Sequence, residues 1–140
     1  MTMKLQLNDK VTVITGPAKG MGRAVTLAFA QEGATLVLAG RDIEAIEPVA
    51  AEARALGVDV LVVPCDMTDA VQTEALAATA TQRFGRIDIL VNVAGGSGPI
   101  GKTGWETTAA EFSAIVEPKF LSYPGAGRSG CGKFDCISVG

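Results

Sequence analysis

The sequence predicts an α/β fold, a doubly wound parallel sheet with helices on its two faces. Three observations carry this. Four short runs of apolar, largely β-branched residues, 11–14, 34–39, 58–63 and 87–93, are continuous rather than alternating, as in strands buried on both faces. Segments with apolar residues at helical spacing separate them, and parallel strands joined by right-handed crossovers satisfy that order. The first run breaks into a glycine-rich stretch that opens directly into the first helical segment.

Leu5 to Lys10 leads into the first strand, Val11 to Ile14. Thr15-Gly16-Pro17-Ala18-Lys19-Gly20-Met21-Gly22 follows, its glycines spaced Gly-x-x-x-Gly-x-Gly. A helix is expected from about Gly20 to Glu32, with Met21, Val25, Ala28 and Phe29 on its apolar face and Gly33 as a left-handed stop. Ala34 to Ala39 is the second strand, closed by Gly40-Arg41. Asp42 is placed to cap a second helix with Ile43, Ile46, Val49, Ala53 and Leu56 inward. Pro48 inside that pattern either kinks the helix or marks a start near Glu47. Gly57 ends it, and Val58 to Val63 is strand three. Thr68 is expected to cap helix three, which carries Val71, Ala75, Ala78 and Phe84 inward and stops at Gly85. Ile87 to Val93 is strand four, followed by a loop through Pro99. Thr108-Ala109-Ala110-Glu111 forms a capping box ahead of Phe112, Ile115 and Val116, the start of helix four. After Val116 the character changes: Pro118 and the stretch Tyr123–Gly132 disfavour helix, and Lys133 to Ile137 is a candidate fifth strand. Residues 1–140 read as one domain, with 118–140 an atypical tail.

Composition narrows the function. With 48% hydrophobic and 19% charged residues, the chain is globular rather than disordered. A formal net charge of −3 gives no basic footprint for nucleic acid. No apolar run approaches the roughly 20 residues that span a bilayer, and the N-terminus has no apolar signal-peptide core. Cys65, Cys131 and Cys136 are odd in number and lack metal-ligand spacing, which suits reduced thiols in the cytoplasm. Histidine is absent, so no metal site is expected and no catalytic triad with histidine forms within the chain.

The strand, glycine turn and helix at 11–32 point to a nucleotide phosphate. One glycine allows the tight turn, one lets backbone approach the phosphate, and one lets helix and strand pack closely. The helix start adds unpaired N–H groups and the positive dipole end. Lys19 in the turn and Arg41 after the second strand suit a 2′-phosphate. Asp42, near the spacing of a ribose-binding acid, serves either that role or the helix cap. Asp66 ends strand three beside the same nucleotide crevice and is also a candidate cap for helix three.

Thr15-Gly16-x-x-x-Gly20-x-Gly22 resembles the Thr-Gly-x-x-x-Gly-x-Gly of the short-chain dehydrogenase/reductase family. Cys65-Asp66-Met67-Thr68-Asp69 resembles its adenine-contacting segment, and Asn92-Val93-Ala94-Gly95 its Asn-Asn-Ala-Gly. The resemblance covers residues about 5–117. It implies a Rossmann-like sheet ordered 3-2-1-4 with strand five beside four, truncated after about five strands. It also implies NADP, rather than NAD, at Thr15, Gly16, Lys19, Gly20, Met21, Gly22, Arg41, Asp66, Met67, Asn92, Ala94 and Gly95. The family's discriminating acid falls on Gly40, and Arg41 beside it goes with NADP. Gly132 to Ser138 resembles the segment running into the catalytic serine, which makes Ser138 the candidate. The catalytic Tyr-x-x-x-Lys has no match: the single tyrosine, Tyr123, is followed four residues on by Gly127, and Lys119 stands where the family has asparagine. The implied activity is hydride transfer between NADP and a carbonyl/alcohol pair, with this chain supplying the cofactor-binding part and catalysing little alone. A non-catalytic nucleotide-binding or interaction module, or a fragment that self-associates to cover its open side, are the alternatives.

Overall fold

The computed structural model describes residues 5–93, 108–110 and 135–138. Five parallel strands, β1 (Val11–Thr15), β2 (Thr35–Gly40), β3 (Val60–Pro64), β4 (Ile89–Asn92) and β5 (Asp135–Ser138), form one sheet in the order β3-β2-β1-β4-β5. This is the order that the family resemblance implies. Successive side chains point to opposite faces, so each interior strand feeds two cores. Ile14, Leu36, Leu38, Ile89 and Val91 pack beneath α1 (Gly20–Gln31) and α2 (Ile43–Ala55). Val11, Val13, Val37, Ala39 and Leu90 face α3 (Ala70–Phe84). β1 is buried at all five positions because it lies third in the row with a helix layer on each side, whereas β3 at the edge is only half-buried.

The helices form where expected; α2 turns inward most of the face expected, with Ile46, Val49 and Ala53 buried, while α1 and α3 keep Val25, Phe29 and Phe84 against the cores but bury other residues more deeply. In α1 the buried stripe is Gly22, Thr26 and Ala30; Val25 and Phe29 are half-buried, while Ala28 and Met21, 53% exposed, face out. Small residues win this face because they let the helix lie close to the sheet. Thr26 is tolerated there because its hydroxyl donates to the Gly22 carbonyl at 2.7 Å. In α3 the inward set is Thr73, Leu76, Ala77 and Ala80, not Val71, Ala75 and Ala78. The helix's only leucine sets the phase, the Thr73 hydroxyl donates to the Ala70 carbonyl at 3.0 Å, and Val71 is 75% exposed.

Asp69, not Thr68, caps α3, its Oδ1 accepting from the N–H groups of Val71 at 2.9 Å and Gln72 at 3.4 Å. α2 begins at Ile43 and continues through Pro48, so the start near Glu47 does not hold. Pro48 lies on the exposed face, where water can satisfy the carbonyl four residues back. Leu56, expected inward, is the exposed C-cap residue, and Ala50 takes the inward place.

Strand β4 is shorter than 87–93, and residues just beyond both of its ends stay bonded to β1. The Asp88 carboxylate accepts the Val11 N–H at 2.9 Å and pairs with Arg86 at 2.8 Å. The Val93 N–H donates to the Thr15 carbonyl at 3.2 Å. Residues 109 and 110 are helical, at the expected start of helix four. The rest of that helix and most of the tail lie outside the described residues. No helix among the described residues is long and apolar enough to cross a membrane.

Thr12, in the middle of β1, is fully buried, and among the described residues its hydroxyl has no hydrogen-bond partner. Such a group costs about 1–3 kcal/mol. Thr12→Val should therefore raise stability by about 1 kcal/mol, read as a higher denaturant midpoint with an unchanged slope; a lower midpoint would show that the hydroxyl is satisfied.

Candidate functional site

α1 and α2 cover one face of the sheet and α3 the other, so the strand order turns between β1 and β4. The crevice of such a sheet lies beyond the carboxyl ends of those strands. Thr15 ends β1 and Asn92 ends β4, both buried, and the Thr15 hydroxyl donates to Asn92 Oδ1 at 2.9 Å. The Val93 N–H returns to the Thr15 hydroxyl at 3.2 Å, so the floor is closed by bonds spanning 77 and 78 residues.

The turn above β1 depends on glycine. Gly16 and Gly20 hold φ of 69° and 57°, the left-handed region. At Gly22 a β-carbon would drive into the Gly16 carbonyl oxygen, so helix and turn are in backbone contact there. At Gly20 a β-carbon would meet nothing within 4 Å: the turn is open on that side. Lys19, exposed, occupies the N-cap of α1 with no side-chain capping bond, and the first turn carries no acidic residue. The helix's N–H groups and dipole therefore end unneutralised beside the open side of Gly20, an arrangement suited to an anion.

At the end of β2, a β-carbon on Gly40 would lie 2.8 Å from Ile46 Cδ1, and Arg41 beyond it is exposed. Asp42 resolves as the cap of α2, its carboxylate accepting the Ala45 N–H at 3.1 Å. At the end of β3, the Cys65 N–H continues the ladder to the Gly40 carbonyl at 2.9 Å. Asp66 does not cap α3. Its Oδ1 accepts from the Thr68 hydroxyl at 2.7 Å and the Thr68 N–H at 2.9 Å. Those bonds, hydroxyl first, hold the carboxyl below its ordinary value; desolvation opposes them to a smaller extent, and the Arg41 charge, the weakest of the four influences, adds to the lowering. Met67 is buried, its sulfur 3.6 Å from Cys65 Sγ. Burial, then the charges of Asp66 and Asp69, push the Cys65 thiol up to about 11, which keeps it protonated at neutral pH.

Gly16, Lys19, Arg41 and Asp66 thus lie on loops that leave the carboxyl ends of β1, β2 and β3, with Gly20 at the start of α1 and Thr15 and Asn92 as floor. Met21 is exposed in the first turn of α1, and β5 runs in register beside β4 with Ser138 opposite Asn92. Ala94 and Gly95 lie outside the described residues. Sequence reasoning missed Asp69 and Gln72, although Asp69-Ala70-Val71-Gln72 has the capping-box spacing. No group of three histidine, cysteine or acidic side chains among the described residues is placed to hold a metal ion.

A family model described as short chain dehydrogenase matches residues 10–123. A 1-deoxy-11-beta-hydroxypentalenate dehydrogenase of Streptomyces exfoliatus is 38% identical over 113 residues, 81% of this chain and 41% of that protein. A short-chain dehydrogenase/reductase from Burkholderia phymatum, solved in complex with NAD, superposes with a TM-score of 0.79 at 32% identity, over 89% of this chain and 44% of that one. A metagenomic short-chain oxidoreductase in complex with NADP gives 0.79 at 30% identity, over 88% and 55%. The chain therefore spans about half the length of the proteins it matches.

Two outcomes test this geometry without any ligand. Gly22→Ala should cost about 1–3 kcal/mol of stability, the usual penalty of overpacking, because the neighbour that must yield is backbone; an unchanged unfolding midpoint would contradict the contact. The second concerns acid. The Asp66 pKa is depressed on folding, so its contribution is present above its ordinary 3.8 and is lost as pH falls through that value toward the lower native one. Thr68→Val removes the hydroxyl donor. It should raise the Asp66 pKa measured by carboxyl NMR, with the stability difference between the two proteins greatest above pH 4 or so and shrinking below it. Identical titrations would rule the hydroxyl out as the cause.

Proposed function

The chain belongs to the short-chain dehydrogenase family, and from that premise we propose that it supplies the nicotinamide-cofactor part of an oxidoreductase acting on a carbonyl/alcohol pair. The observation that carries this is the cradle at the end of β1: a backbone contact that excludes any β-carbon at Gly22, open space at Gly20, and an uncapped α1 N-terminus. These features fit a pyrophosphate. In this reading Thr15, Gly16, Lys19, Gly20, Met21 and Gly22 form the phosphate turn. Arg41 meets the adenosine ribose, Asp66 and Met67 the adenine, and Asn92, Ala94 and Gly95 the cofactor floor. The bound nicotinamide would supply the hydride chemistry, and the protein binding and orientation. Ser138, at the carboxyl end of β5, is the candidate for holding the substrate oxygen. Family membership favours this over a non-catalytic nucleotide module.

NADP is the preferred cofactor. Lys19 and Arg41 are exposed cations, Gly40 presents no acid, and the Asp42 carboxylate is engaged as a cap. The relatives include complexes with NAD and with NADP, so the preference rests on these residues. Residues 1–140 act in this reading as one nucleotide-binding domain of a cytoplasmic protein, a compartment that suits the free thiol of Cys65. Self-association is part of it: β3 and β5 are the outer strands among the described residues, and an outer strand offers its ladder groups to another chain.

Fluorescence titration should find NADPH tighter than NADH, since charge-assisted contacts are worth about 1.5–3 kcal/mol each. Arg41→Asp should invert the order. Tighter NADH binding by the unmutated protein would overturn the preference.

A further inference from the structure

The geometry points to Gln72 as the positioning residue that sets adenine recognition by Asp66, an inference that rests on the nucleotide reading above. Gln72 belongs to the first turn of α3, yet its amide spans two other residues. Its Oε1 accepts the Asp66 backbone N–H at 2.8 Å, and its Nε2 donates to Asp69 Oδ2 at 3.1 Å. The two ends are not interchangeable, because only an acceptor can face an N–H and only a donor can face a carboxylate. Asp69 is itself fixed, since its Oδ1 caps α3 and its N–H donates to the Asp66 carbonyl at 3.1 Å.

The loop from Asp66 to Asp69 is therefore tied at both ends to the helix through one side chain. Thr68 takes up Oδ1 of Asp66 with two donors. Among the described residues Oδ2 has no donor, and it is the oxygen left to accept the exocyclic amine of an adenine. Gln72 touches no part of that contact. It fixes the main chain of Asp66, and through it the direction in which Oδ2 is presented. An aspartate on a loose loop would still bring charge to the crevice but would lose the directionality that separates an amine from a carbonyl.

Hypoxanthine carries a carbonyl where adenine carries that amine, so the pair NADPH and its hypoxanthine analogue reads the contact directly. Both are titrated into the full chain and into Gln72→Met, and amide exchange at Asp66 is followed with no dinucleotide present. The parent should favour the adenine form by about tenfold, the scale of one hydrogen bond to a charged group. Gln72→Met should bring the ratio to within about twofold through weaker NADPH binding alone, and should speed exchange at Asp66. An unchanged ratio, or equal weakening of both ligands as from a loosened helix, overturns the assignment. Faster exchange at Asp66 in a chain that binds neither dinucleotide in the parent form would place the failure in the nucleotide reading rather than in the tie.

Discussion

The backbone contact between Gly22 and the Gly16 carbonyl fixes where α1 starts, and most of the crevice follows from that placement. With no side chain between them, the helix lies against the turn at its first residues. Thr26 and Ala30 then fall on the sheet one and two turns later, the Thr26 hydroxyl closing on the Gly22 carbonyl. The same contact leaves the first-turn N–H groups facing out over the carboxyl ends of the strands. A larger residue would lift the helix from the sheet and turn its dipole away from the crevice.

The strand beneath that contact is held at both ends by side chains from a distant part of the sequence. At its start the Asp88 carboxylate takes the Val11 N–H; at its finish the Thr15 hydroxyl reaches the Asn92 amide. Both pairs are separated by 77 residues and both fix the register of β1 against β4. Register matters because a slip of one residue would send Val11 and Val13 to the α1 face and Thr12 and Ile14 to the α3 face. The polar pairs contribute modest net energy, but each is costly to half-remove, since a buried donor or acceptor would be stranded. They act as specificity devices around a strand whose stability comes from burial.

The strands and the glycine turn were legible in the sequence because they rest on strong, local signals: continuous β-branched runs, and glycines at spacings that only turn geometry explains. The strand order came from the family resemblance, since nothing local in Val11–Thr15 says which strands flank it. The helix faces were less so. In α1 and α3 alanine and threonine occupy nearly every turn, so several stripes of similar hydropathy compete, and the close approach to the sheet decides by size rather than by hydropathy. The capping aspartate of α3 was hidden by Thr68 one residue earlier, an equally good cap that is used instead to hold Asp66. The role of Gln72 was not legible, because it depends on how the loop from Asp66 to Asp69 folds back over the helix that follows it.

Three helices begin at the same edge of the sheet, and their first residues differ in charge. α2 starts with Asp42 and α3 with Asp69, each carboxylate spent on the orphan N–H groups of its own helix. α1 starts with Lys19, which makes no such bond. A protein of net charge −3 thus keeps negative charge off one helix start at the topological switch point and sets cations at Lys19 and Arg41 near it. Asp66 remains ionised nearby because Thr68 and Arg41 favour its charged form, which leaves it an acceptor rather than a proton source. Positive ends for phosphate and a fixed acceptor for an amine are what a dinucleotide asks of one edge of a sheet, and here each is set by how the neighbouring helix is capped.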